Sequence, residues 1–220
     1  MKMNLFPKTY GRTKGKIKKP SLLNYYKKIN KYLIDSMSQY NKDIILEIGS
    51  GNGENIIKLS NLYKDKIIIA CEVYIDGNSS LVKKLENKKI KNVKIFDKSC
   101  FYLFKKIKKF SIDQIWILFP DPWPKKRHNK RRLINENFIN EIYSLLAKNG
   151  KVYIATDDKN YFLNILINFQ KNDLFYWHND NPNNWNTKFQ DMPETSYYLK
   201  AMKIGQKPKF MIFKKKICLK

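Results

Sequence analysis

The chain has 220 residues, 44 of them lysine or arginine against 19 aspartates and glutamates, for a net charge of +25, and 43% of it is hydrophobic. That is enough chain for one domain with a sizeable core, and the excess of cations points to a polyanionic partner. The longest apolar runs, such as KIIIAC and IWILF, are strand length and exclude a membrane span; Cys71, Cys100 and Cys218 are far apart and form no CxxC pair, which excludes a disulfide framework and a cysteine zinc site.

Residues 1–20, MKMNLFPKTYGRTKGKIKKP, are basic and lack apolar periodicity. They read as a flexible arm that orders on its polyanion, leaving residues 21–220 as the folded domain. With no apolar core for a secretory signal, the expected home is the reducing cytoplasm. Ser21 after Pro20 reads as a helix cap, followed by a stripe of Leu22, Tyr25, Tyr26, Ile29, Tyr32 and Leu33 at helical spacing.

From residue 43 onward, β-rich runs alternate with amphipathic stretches. The runs are IILEI, KIIIACEV, NVKIF, IDQIWILF and KVYIAT; the stretches fall near residues 54–63, 78–90, 98–109, 134–148 and 158–170. This rhythm predicts an α/β fold with a mostly parallel sheet and helices on both faces, and the lack of polar alternation fits strands buried on both sides. LFYWH and KPKFMIFKKK lack an intervening full helix and predict an antiparallel pair at one edge.

Ligands of such sheets sit beyond the carboxyl ends of the strands. The first end reads LEIGSGNGEN, where Gly49, Gly51 and Gly53 permit a tight turn and close ligand approach. Glu54 stands where the third glycine of a dinucleotide fingerprint belongs and would repel a pyrophosphate. Glu47 is a further anion suited to a cationic ligand, and S-adenosylmethionine, which carries a sulfonium and an ammonium but no phosphate, is such a ligand. Glu72 ends the second strand, where an acid meets ribose hydroxyls; Asp97 ends the third, where an adenine amine is gripped.

The fourth strand runs into FPDPWPKKRHNKRRL, which fixes Asp121 among Pro120, Pro122 and Pro124 and then supplies six cations in eight residues. Only four arginines occur in the chain, and Arg127, Arg131 and Arg132 are here. Lysine suffices for a point charge, so retained arginines point to bidentate contact with phosphate or carboxylate. Lys125 is the expected substrate contact and His128 an orienting or phosphate-contact residue; Trp123 either stacks on a base or packs under the loop. His178 reads as structural. Asp157 ends the fifth strand, with helix capping as its alternative role.

These motifs, in this order, resemble bacterial tRNA (guanine-N7)-methyltransferases of the TrmB type; the resemblance runs from YGRTKG to the last basic strand, and its most specific element is FPDPWPKKRHNKRR. It implies a Rossmann-like, class I methyltransferase fold that uses S-adenosylmethionine, without a metal, on a guanosine of the tRNA variable loop. It also implies that Glu47, Glu72, Asp97 and Asp121 bind the methyl donor, that Asp121 serves the catalytic centre, and that Lys125 and Asp157 contact tRNA. The family's late T-x-[FY]-E motif is matched by Thr195, Ser196 and Tyr197, with Tyr198 in the acidic position. Methylation of another RNA, tRNA binding through a degenerate donor pocket, and a nicotinamide-dependent reaction are the competing readings; the oligomeric state is open.

Overall fold

The computed structural model describes residues 20–34, 43–171 and 173–216. Apart from Pro20, the expected arm lies outside those residues, as does Cys218. The stripe over residues 22–33 does not form one helix. Two 3₁₀ turns, Pro20–Leu22 and Ile29–Lys31, flank a single turn α1 (Leu23–Tyr26), and the cap position falls on Leu22, which has no capping side chain. Leu22, Ile29 and Tyr32 are buried while Tyr26 is exposed. The segment instead follows the sheet edge, where Leu33 bridges Ile95 in parallel, and the Tyr32 hydroxyl donates to Glu86.

The five β-rich runs become β1 (Ile44–Ile48), β2 (Ile67–Cys71), β3 (Val93–Phe96), β4 (Ile112–Leu118) and β5 (Leu146–Thr156), paired in parallel. Ile44, Leu46 and Ile48 of β1 enter one apolar layer and Ile45 the other, as expected when alternate side chains face opposite sides of a sheet. Full burial of each such side chain contributes about 1.5–3 kcal/mol. The short β6 (Phe175–Trp177) and β7 (Lys209–Lys215) complete the order β3-β2-β1-β4-β5-β7-β6, with β7 antiparallel to both its neighbours.

Helices α2 (Glu54–Leu62) and α3 (Ile75–Lys88) cover one face through Ile56, Leu59, Leu81 and Leu85. The other face is covered by α4 (Cys100–Phe104), α5 (Glu136–Leu145) and α6 (Lys159–Lys171), through residues such as Leu103, Phe138 and Ile165. The expected helix over residues 98–109 stops at Phe104 because Ile107 turns back into the core and Phe110 takes a left-handed φ of 60°. The short α7 (Pro182–Trp185) and α8 (Ser196–Lys203) lie between β6 and β7. Among the described residues no helix is long and apolar enough to cross a membrane.

The strand order reverses between β1 and β4, which opens a crevice at their carboxyl ends. The turn after β1 carries Gly49, Gly51 and Gly53 at φ values of 77°, 51° and 72°. Gly77, at the start of α3, lets the helix press on this turn: a Cβ there would stand 2.6 Å from the Gly51 carbonyl oxygen. Backbone cannot yield as a flexible side chain can, so Gly77→Ala should destabilise the protein by about 1–3 kcal/mol. Thermal melting reads this as a fall of several degrees; an unchanged Tm would show that the turn does not depend on this close approach.

Candidate active site

The crevice holds a cavity of about 680 Å³ whose walls include Gly51, Glu72, Cys100, Asp121, Arg131 and Tyr197. Sequence segments after β1, β2, β3 and β4 therefore converge, as their positions at strand ends predict. Glu72 is held twice: Oε2 accepts from the Gly51 N–H at 2.9 Å and Oε1 from the Tyr74 N–H at 2.8 Å. Burial pushes the Cys71 thiol well up and the Cys100 thiol up to about 12, so both cavity-wall cysteines stay neutral rather than acting as nucleophiles.

Two expected donor contacts stand away from the cavity wall. Glu47 is only 3% exposed and lies beneath the glycine turn. Burial holds its carboxyl well above the usual range, with the carboxylates of Glu72 and Glu54 adding to the effect and the neighbouring Asn55 amide opposing it. Among the described residues, Glu47 Oε2 and both polar atoms of the Asn55 side chain are buried without a hydrogen-bond partner. Asp97 is exposed, and the wall is formed instead by Lys98, Ser99 and Cys100, which follow it. The strand-end rule that singled out Asp97 would have found these three had it been extended by a few residues.

Asp121 is exposed on a loop under backbone constraint. Phe119 and Trp123, on either side of it, have φ values of 53° and 45°, a region that costs a bulky residue about 1–3 kcal/mol. The loop is held from below by Arg132. Its Nε donates to the Pro122 carbonyl at 2.8 Å, and its guanidinium lies 4.9 Å from the centre of the Tyr161 ring. With 6% exposure, Arg132 braces the loop through its Nε while also forming part of the cavity wall. Arg131 stacks on Trp123 at 5.0 Å, and Trp123 lines the cavity.

The remaining cations divide by position. Lys130 and Arg131 line the cavity, whereas Lys125 and Arg127 are exposed outside its wall. His128 meets Trp123 edge-on, and burial together with Arg131, Lys125 and Lys130 lowers its pKa, favouring the neutral ring. Asp157 is half-buried; Asp158, next to it, caps α6 by accepting from the Tyr161 N–H at 2.7 Å.

In the TSYY stretch, Thr195 caps α8 by accepting from the Tyr198 N–H at 3.2 Å. Ser196 donates from both its N–H and its Oγ to Glu54, at 2.7 and 2.6 Å. Tyr197 forms part of the cavity wall, and burial followed by the carboxylates of Glu72, Asp121 and Glu54 raises its pKa. Tyr198 turns the other way, against Phe210 and the apolar layer. The acidic position of the motif is thus replaced by a packing residue, and the aromatic group at the site is Tyr197.

The cavity lies within the range of about 300–1,000 Å³ typical of small-molecule sites. Glu72 and Asp121 offer negative charge to the cationic groups of a ligand, Lys98, Lys130, Arg131 and Arg132 offer positive charge in the same wall, and Glu54 beside the glycine turn disfavours a pyrophosphate. Among the described residues no cluster of three or more His, Cys, Asp and Glu side chains is placed to hold a metal. Sheet order and crevice define the class: this is the Rossmann-like fold of S-adenosylmethionine-dependent methyltransferases. A putative methyltransferase from Streptococcus mutans, solved with S-adenosylhomocysteine, is 19% identical with a TM-score of 0.53, covering 91% of this chain and 100% of that one. An rRNA methylase from Streptococcus thermophilus gives 17% identity and a TM-score of 0.52 over 91% of this chain and 99% of that one.

Residues 41–211 match the family described as a putative methyltransferase. The tRNA (guanine-N(7)-)-methyltransferase of Wolbachia pipientis wMel is 35% identical over 182 residues, 82% of this chain and 79% of that protein. The Bartonella quintana enzyme of the same name is 32% identical over 177 residues, 80% of this chain and 76% of its own. The chain belongs to the tRNA (guanine-N7)-methyltransferase family.

Two outcomes follow from the buried ionisable groups. Arg132→Ala leaves the Pro122 carbonyl without its donor and should cost about 1–3 kcal/mol of stability by urea unfolding; unaltered stability would contradict its bracing role. For Glu47, the unfolded carboxyl loses its proton near 4.5 while the folded one keeps it to higher pH. The native state then binds more protons, and stability falls as pH rises from 4.5 towards the raised value. Glu47→Gln should remove that fall, giving a Tm advantage that is larger at neutral pH than at pH 4.5; an advantage independent of pH would contradict it.

Proposed function

We propose that this protein transfers a methyl group from S-adenosylmethionine to N7 of a guanosine in the variable loop of tRNA, in the cytoplasm. The observation that carries the reading is Asp121: an anion on a constrained loop, across the cavity from the glycine turn, with Lys130 and Arg131 at the same wall. Relatives bearing the name of this activity, similar over most of the chain, support it.

Bound S-adenosylmethionine supplies an electrophilic methyl group on a positively charged sulfur. Glu72 and the glycine turn are placed to hold its nucleoside part, and the Glu72 carboxylate is already oriented by two backbone N–H groups. Guanine N7 offers a lone pair and has no proton to lose, so the residues need not include a general base. Asp121 instead provides fixed negative charge where positive charge passes to the purine, and its loop pays the ordering cost before substrate arrives. Lys130 and Arg131 receive phosphate, with Lys125 and Arg127 extending the cationic surface outward. Trp123, flattened against Arg131, presents an aromatic wall to a base. Tyr197 borders the substrate side as part of the wall itself, and Asp157 is the further tRNA contact that the family resemblance implies.

Incubating the protein with labelled donor and unmodified tRNA, then mapping the labelled nucleoside, tests the reading. Label in N7-methylguanosine of the variable loop is expected; label in another nucleoside contradicts it. Asp121→Asn keeps the shape but removes the charge, and should slow the single-turnover rate about a hundredfold. The wild-type chemical step should stay flat between about pH 6.5 and 8.5, since no proton is transferred. A tenfold rise per pH unit, abolished in Asp121→Asn, would show that the carboxylate acts as a base.

A further inference from the structure

Glu54 opens α2 directly after the glycine turn, and Ser196 opens α8, 142 residues later. Both Glu54 carboxylate oxygens are engaged by Ser196, Oε2 by its N–H at 2.7 Å and Oε1 by its hydroxyl at 2.6 Å. A two-point contact fixes orientation as well as distance, which a single bond between exposed groups cannot do. Elsewhere α8 is held by its Thr195 cap and by Tyr198 against Phe210, on the side turned away from the cavity. Ala201 is its one buried residue, while Tyr197, Leu199 and Met202 are exposed.

The residue after Ser196 is the one that matters to the cavity. Tyr197 reaches back over the glycine turn, so that a Cβ on Gly51 would lie 3.8 Å from its ring, and Tyr197 lines the cavity together with Glu72 and Asp121. Gly51 in turn donates its N–H to Glu72. A continuous chain of contacts therefore runs from Glu72 through the glycine turn to Tyr197, with Glu54 and Ser196 closing it from outside.

We infer that Glu54 is a positioning residue that pins the N-terminus of α8 and so sets Tyr197 as the wall between the methyl-donor turn and the tRNA side. This rests on the methyltransferase reading and adds to it a residue that touches neither the donor nor the acceptor. It acts through Ser196, and its consequence is specific: the tRNA side of the cavity is shaped from the cofactor side.

The test combines amide hydrogen exchange with kinetics on Glu54→Ala, Glu54→Gln and Ser196→Ala. Without the clamp, exchange over residues 197–200 should speed up about tenfold in Glu54→Ala, while the remaining helices keep their protection. KM for tRNA should rise about five- to tenfold with kcat changed about twofold or less, the pattern of lost positioning rather than lost chemistry. Glu54→Gln retains an acceptor oxygen for the Ser196 N–H and should restore most of both properties; Ser196→Ala should fall between, and the double alanine variant should be no worse than Glu54→Ala.

Unchanged exchange in α8 would overturn the inference. So would equal weakening of S-adenosylhomocysteine binding in the Ala and Gln variants with α8 unaffected, because Glu54 would then be a ligand contact. Exchange is read without substrate, so the two readings fail separately. Faster exchange in Glu54→Ala with no methyl transfer by the wild type would sink the activity and support the clamp.

Discussion

Phe119 and Trp123 hold a left-handed backbone that large aromatic residues adopt only when something else compels them, and the compelling contact is the buried guanidinium of Arg132 on the Pro122 carbonyl. Arg132 is itself seated on Tyr161, whose hydroxyl accepts from the Ile134 N–H and whose own N–H is the one that Asp158 caps. The loop that presents Asp121 is thus fastened to the first turn of α6, an element of the core. Three prolines remove most of the remaining freedom. Asp121 is exposed and yet not free to wander, which is what an electrostatic group needs if it is to act without reorganising at the moment of reaction.

The opposite side of the cavity is fixed by a different means. Gly77 allows α3 to approach the glycine turn, and the turn's Gly51 N–H then meets Glu72. Each side pairs a constrained backbone with one side chain that holds it, Arg132 at the Asp121 loop and Glu72 at the glycine turn. Both signs of charge meet in the cavity wall, where Glu72 and Asp121 stand with Lys98, Lys130, Arg131 and Arg132, while Lys125 and Arg127 carry the positive charge outward beyond it. A donor carrying positive charge and a substrate carrying phosphates meet opposite signs on adjoining surfaces.

Much of this was legible in the sequence because it is local. The parallel strands follow from apolar runs, the crevice from the order of those runs, and the constrained loop from its prolines. What was not legible depends on partners distant in sequence. Arg132 and Arg131 are adjacent and chemically alike, yet one is buried under Pro122 and the other covers Trp123; no spacing rule separates them. Asp157 and Asp158 differ in the same way, since a single-residue step decides which carboxyl reaches the first turn of α6. Tyr198 faces inward because α8 rotates about 100° per residue, which sends Tyr197 to the cavity and its neighbour to Phe210. The stripe at residues 22–33 has helical spacing but meets a sheet edge, and pairing there replaced the helix.

The central claim is that the Asp121 loop is formed before any ligand arrives. Crystal structures of the protein alone and with S-adenosylhomocysteine test it most directly, through the backbone angles of Phe119 and Trp123 and the Arg132–Pro122 contact. The account predicts positive φ at both aromatic residues and an intact contact in both crystals. A ligand-free structure with the loop relaxed to extended backbone and Arg132 released from Pro122 would contradict it.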